Sequence, residues 1–175
     1  MPDANAVDSQ RLQLAELIAR FAAADGTHET DIASLVLYRA SAPSPIIHTL
    51  YRPALCIMAQ GQKVVRLESE SYCYDPLHYL VASVTLPVTG EVTLATADEP
   101  YLSLRLDIDP AELGELIASA GPIGVPSRGN GRGLHVDRLD APLLDAVLRL
   151  LRLLEAPRDI AMLAPLVRRE ILYRL

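Results

Sequence analysis

Apolar and polar positions change rhythm several times along this chain. Leu12, Leu17, Ile18 and Phe21 recur near the helical period, and Asp25-Gly26 closes the helix they predict. Residues 26–34 are polar and read as loop. From Leu35 to Ile108 the texture shifts to short runs rich in Val, Leu, Tyr and Thr, divided by turn residues. Ala42-Pro43-Ser44-Pro45 separates the first strand from the second, because proline cannot donate to a ladder. Gln60-Gly61 lies between two apolar runs and predicts a hairpin, with Gly61 free to take positive φ. Glu68-Ser69-Glu70, Asp75-Pro76 and Ala97-Asp98-Glu99-Pro100 mark further turns. Short strands at this spacing predict an antiparallel β-sandwich or barrel.

Helical rhythm then returns. Asp109-Pro110-Ala111-Glu112 carries a capping aspartate, a proline suited to the first helical position and the Asp-x-x-Glu pattern of a capping box. Gly121 is the expected stop, and residues 121–133 read as a loop without packing signal. Asp140 caps the next helix, where Leu143, Val147, Leu150, Leu151 and Leu154 form one stripe. Leu144 and Leu148 widen it to a second face, and a helix apolar on two faces must bury both. One face is expected on the barrel and the other, with Leu144, Leu148 and Leu151, against a second copy of the chain. Asp159 begins a last segment that Pro165 is expected to bend or restart. It runs through Leu166, Arg169, Glu170, Leu172 and Tyr173 to Leu175 with no stop signal, as in a domain cut from a longer protein.

Composition narrows the possible roles. At 175 residues, 50% hydrophobic and 22% charged, the chain suits a globular unit with a sizeable core. A mean hydropathy of +0.20 leaves apolar surface for a partner. Net charge is −6, lysine is almost absent and the arginines are scattered, so no basic stripe for nucleic acid emerges. Cys56 and Cys73 lie in apolar or aromatic runs without zinc-like spacing, which predicts reduced thiols. The polar MPDANAVDSQ start has no signal-peptide pattern and no apolar run is long enough to span a bilayer. A soluble, cytoplasmic protein is expected.

Six stretches carry a resemblance: LVLYRASAPSP, YRPALCIMAQGQKVV, YDPLHYLVASVTLPVTGEV, PYLSLRLDIDP, APLLDAVLRLLRLLEAPRDI and APLVRREILYRL. Together, from about Leu35 to Leu175, they resemble the N-terminal, effector-sensing half of AraC-type transcriptional regulators. The resemblance implies a cupin-like β-barrel over residues 1–120, including the first helix. Residues 121–175 would form a loop and a helical dimerisation segment. In the family, a pair of helix-turn-helix units follows and binds DNA; the chain stops before them. Tyr38-Arg39-Ala40, Arg105 and Asp107 also match the family pattern, and Arg105 and Asp107 share a strand face.

A cupin-like barrel makes metal the first enzymatic question. Metal cupins use a His-x-His pair, a nearby Glu and a later His, because a divalent ion needs several convergent ligands. The four histidines here, His28, His48, His78 and His135, are scattered, and only His48 and His78 fall in strand-like runs. No metal or cofactor is expected, although a metal-dependent cupin enzyme acting on a small organic substrate is the alternative class. No Gly-x-Ser-x-Gly elbow occurs, and GNGRG lies outside any strand-to-helix turn, so catalytic residues are not expected.

What remains is a ligand pocket, since small barrels can enclose one compact molecule. Tyr38, Tyr74 and Tyr79 offer aromatic walls with hydroxyl tips, and His78 a polar group. Cys56 and Met58 share one strand face while Leu55 and Ile57 take the other, and parity alone leaves the inner face undecided. Within the resemblance, some regulators respond to reactive aldehydes, so Cys56 is a candidate thiol for an aldehyde-like effector. An inert core cysteine is the competing reading, because burial raises a thiol's pKa. A further possibility is a constitutive dimerisation unit with its barrel filled by side chains.

Overall fold

The computed structural model describes residues 3–120 and 133–175. Helix α1 (Asp3–Phe21) precedes strands β1 (Gly26–Glu29), β2 (Leu35–Ala40), β3 (Ile47–Tyr51), β4 (Ala54–Gln60) and β5 (Gln62–Leu67). Strands β6 (Glu70–Tyr74), β7 (His78–Ala82), β8 (Leu86–Leu94) and β9 (Tyr101–Asp107) follow. The order continues with helix α2 (Pro110–Ala120), strand β10 (Leu134–Arg138), helix α3 (Ala141–Arg152), a 3-10 turn at Leu153–Glu155 and helix α4 (Pro157–Arg174). The expected stop at Gly121, the loop as far as residue 132 and all of the GNGRG run but Gly133 lie outside the described residues.

The strands make two sheets, ordered β1-β2-β9-β4-β7-β10 and β3-β8-β5-β6. Every pairing is antiparallel, the architecture expected from the strand spacing. Of the strands consecutive in sequence, only β1 with β2 and β5 with β6 are hydrogen-bonded neighbours. Most predicted turns therefore carry the chain from one sheet to the other. Gln60-Gly61 is the clearest correction: it joins β4 to β5, which belong to different sheets, and is a corner instead of a hairpin. A register shift between Met58 and Gln60 turns the chain there. Gly61 does take positive φ, at 91°.

Two strands escaped the sequence reading. β1 occupies part of the predicted polar loop, and β10 lies just before Asp140. Each is an edge strand of the larger sheet and only four or five residues long; β1 is mostly exposed, and β10 offers only Leu134 and Val136 as an alternating pair, too short a run to stand out.

Residues of opposite parity feed two cores. Leu55, Ile57 and Ala59 of β4 and Leu102, Leu104 and Leu106 of β9 pack with Leu14 and Ile18 of α1 and with the leucines of α3. Cys56 and Met58 point the other way, into a core between the sheets with Val65, Leu67, Tyr74, Leu80, Val88 and Tyr101. A central strand covered on both sides needs no polar face, which accounts for the unbroken ALCIMA run of β4.

The helices refine the expected pattern. Leu14 rather than Leu12 belongs to the core on α1; Leu12 faces solvent. Asp109 caps α2 by accepting from the Ala111 N–H at 2.8 Å. Glu112 does not complete the capping box but meets Arg168 of α4 at 2.6 Å. Asp140 caps α3, accepting from the Leu143 N–H at 2.8 Å. Leu144, Leu148 and Leu151, reserved on sequence grounds for a partner chain, are no more than 2% exposed. Both apolar sides of α3 are taken up within the chain, between the sheet and its neighbours α1 and α4. α4 runs unbroken through Pro165, with Asp159 in its first turn. Arg149 of α3 pins it by a 2.6 Å contact to Glu170, whose carboxyl is held below its ordinary range by that bond and one from Arg174.

Candidate functional site

The space between the sheets is not filled by the inner core. A cavity of about 690 Å³ opens among β2, β3, β4, β5, β6, β8 and β9. Strand parity builds its walls. Tyr38 comes from β2, Tyr51 from β3, Cys56 from β4, Lys63 from β5, Tyr74 from β6, and Tyr101, Ser103 and Arg105 from one face of β9. The volume lies in the range of small-molecule sites.

Of the residues singled out from sequence, the fold brings Tyr38, Cys56 and Tyr74 to this cavity. Met58 points into the same inter-sheet core but is wholly buried and outside the cavity lining. Tyr79 faces the helices on the opposite side of the larger sheet. His78 is also absent from the lining and binds Asp75 Oδ1 through Nδ1 at 2.7 Å. Burial raises the Asp75 carboxyl, but the bonds from His78 and from the Leu77 N–H together hold it below its usual value. His48 is on β3 of the smaller sheet and His78 on β7 of the larger. His28 Nε2 meets the Ala24 carbonyl at 2.7 Å, and His135 Nε2 lies 3.7 Å from Asp137. Among the described residues no three His, Cys, Asp or Glu side chains gather.

The polar groups of the cavity are graded in charge. Arg105 donates to Asp107 Oδ1 at 2.8 Å and to the Tyr38 hydroxyl at 2.7 Å, so its charge is partly matched by a neighbour. Tyr101 is in polar contact with both Tyr74 and Ser103. Burial pushes the phenols of Tyr38, Tyr51, Tyr74 and Tyr101 upward, and they stay neutral donors and acceptors. Lys63, the only lysine in the chain, shares its strand face with Val65 and Leu67 and lies 5.7 Å from the Tyr51 ring centre. Desolvation lowers its pKa, the charge of Arg105 adds to that, and Cys56 opposes it.

Sequence reasoning missed Lys63, Tyr51, Tyr101 and Ser103. For Lys63 a signal was present: in QKVVRL the lysine alternates in step with Val65 and Leu67, a charged residue on an apolar face. Tyr51, Tyr101 and Ser103 carry no such mark, because they converge from strands distant in sequence.

Cys56 illustrates how the site overrides local chemistry. The fold brings Lys63 and Arg105 near its sulfur, both favouring thiolate, yet burial dominates and pushes the thiol up to about 11. At pH 8 only about one Cys56 in a thousand is then ionised. Cys73 is exposed. Labelling with a disulfide reagent at pH 8 is expected to show one fast thiol, absent in Cys73→Ser, while Cys56 reacts only on unfolding. A fast phase that survives in Cys73→Ser would contradict the burial of Cys56.

A comparison with protein families identifies the one to which this chain belongs. The family described as "AraC-type transcriptional regulator N-terminus" matches residues 31–175. Among solved structures, the chain is similar to an apo ToxT variant from Vibrio cholerae, with 9% identity and a TM-score of 0.49. That likeness covers 75% of this chain and 54% of the ToxT chain, so the match spans about half of that protein's length. No curated protein matches.

Proposed function

Because the chain belongs to the AraC-type transcriptional regulator N-terminus family, we propose that its inter-sheet cavity is where a bacterial regulator receives its small-molecule effector. The observation that carries this reading is the cavity itself, about 690 Å³ walled by tyrosine rings and a few polar groups. Tyr38, Cys56 and Tyr74 would contact the effector, joined by Lys63, Tyr51, Tyr101 and Arg105. Occupancy would favour one arrangement of the sheets and their covering helices over another. A helix-turn-helix unit outside these residues would read that change on DNA, and the regulator would act in the cytoplasm. The scarcity of Cys56 thiolate favours an effector held without a covalent bond, so Cys56→Ser should leave the response intact even to an aldehyde-like effector.

We place the homodimer contact on α4 in place of α3. Met162 is 76% exposed, Leu166 65% and Tyr173 64%, at helical spacing on one side of α4, with Ile117 of α2 also exposed at 54%. The opposite side of α4, with Ala164 and Ile171, is buried against the core. In sedimentation at tens of micromolar, the wild-type chain is expected as a dimer and Leu166→Glu as a folded monomer. A dimer that persists in Leu166→Glu would remove this surface from consideration.

Native mass spectrometry of the purified chain, followed by denaturation, tests the sensing reading. Release of a small organic molecule supports it. Stoichiometric metal, lost on replacing His48 or His78, would overturn it in favour of a metal-dependent cupin enzyme.

A further inference from the structure

From the charges inside the cavity we infer that the effector is an organic anion, a small carboxylate with an apolar or aromatic body, whose charge meets Lys63. This rests on the sensing reading above and specifies the chemistry of the same site.

The argument is one of unmatched charge. Lys63 points between the sheets with Val65 and Leu67, and among the described residues no carboxylate lies within ion-pair distance of it. Two carboxylates line the cavity, and both are already engaged. Glu91 faces Arg66 at 3.2 Å, and Asp107 faces Arg105 at 2.8 Å. Lys63 has instead an aromatic face at 5.7 Å and a thiol that remains protonated. An ammonium taken partly out of water without a counter-charge is costly. An incoming carboxylate would offset that cost, whereas a neutral ligand would displace water from the amine and worsen it.

The surroundings fit the rest of such a molecule. The Tyr51 and Tyr74 rings offer apolar contact, and the un-ionised Tyr51 hydroxyl can donate to a carboxylate oxygen. Arg105 adds positive potential nearby without being free, since Asp107 and the Tyr38 hydroxyl hold its guanidinium. The residue type is telling as well. The chain has 16 basic residues and uses lysine only here, where a compact ammonium on a flexible stem fits among tyrosines.

The test compares headgroups on one body. Benzoate, benzyl alcohol and benzaldehyde, and likewise octanoate, octanol and octanal, are titrated into the wild-type chain and followed by calorimetry at pH 7. The carboxylate of at least one set should bind about tenfold or more tighter than its alcohol. Lys63→Met should bring carboxylate affinity down to the alcohol's level, and Lys63→Arg should keep the order. Equal affinity of carboxylate and alcohol for wild type would overturn the inference while leaving effector sensing in place. So would a carboxylate preference that persists in Lys63→Met, or preferential trapping of the aldehyde on Lys63 by borohydride. If no compound of either set binds, the inference falls, while the sensing reading is decided separately by native mass spectrometry.

Discussion

Leu144→Ala is expected to destabilise the chain by about 2–5 kcal/mol, since truncating a wholly buried leucine loses its transfer energy and leaves a cavity. The midpoint of thermal unfolding should fall by about 5–15 °C for a domain of this size. Leu144 is 0% exposed and sits among Leu143, Val147, Leu148 and Leu151 in the core shared by α1, α3, α4 and the larger sheet. Leu12→Ala is the matched comparison, because Leu12 is 50% exposed on α1 and its loss should cost no more than about 0.5 kcal/mol. Urea unfolding of both variants, with an unchanged denaturant slope, reads the difference directly. A near-neutral Leu144→Ala that nevertheless dissociates a dimer would return α3 to the role of partner surface. The contrast therefore decides which helix holds the chain together and which is free for a second copy.

That helix also shows what a sequence can and cannot specify. The amphipathic stripe and the Asp140 cap made α3 legible, because both are written within one turn or two of the residues that form them. Its second apolar face was legible too, but the number of neighbours waiting to cover it was not. α1 and α4 supply that cover from far away in sequence. The strands follow the same division. β4, apolar throughout and flanked by Pro53 and Gly61, could be placed from its own residues, whereas β1 and β10 gain their pairing only from the strand beside them.

The cavity is a still stronger case. Alternation showed that Cys56 and Met58 share a face, but not that the face is the inner one. Closure of the second sheet decides that, and then only Cys56 reaches the cavity. Cys56 lies opposite Arg105 in the β4–β9 register, and Lys63 opposite Tyr74 in β5–β6. These pairings join positions that no local pattern relates. The electrostatics followed from them: two cations approach a thiol that appears isolated in sequence, and burial still keeps it protonated.

Gly61→Ala is expected to cost about 2–4 kcal/mol, through backbone strain at positive φ combined with overpacking. Gly61 sits at φ 91°, and a Cβ there would lie 2.7 Å from the Leu94 carbonyl oxygen and 3.0 Å from Tyr101 Cα. Both are backbone atoms, so no side chain can swing aside to relieve the contact. Gly114→Ala should act in the opposite direction, by about 0.5–1 kcal/mol, because that position is helical and open space surrounds the added methyl. Thermal unfolding of the two variants should thus shift to opposite sides of wild type. The corner matters beyond stability. Gly61 lets β4 leave the larger sheet, and β5 enter the smaller, directly against the start of β9, where Tyr101 forms part of the cavity wall. If Gly61→Ala pushes that backbone outward, ligand affinity should weaken in the same variant, whereas Gly114→Ala should leave it unchanged. A Gly61→Ala chain as stable as wild type would mean that β4 and β5 meet some other way than through this corner.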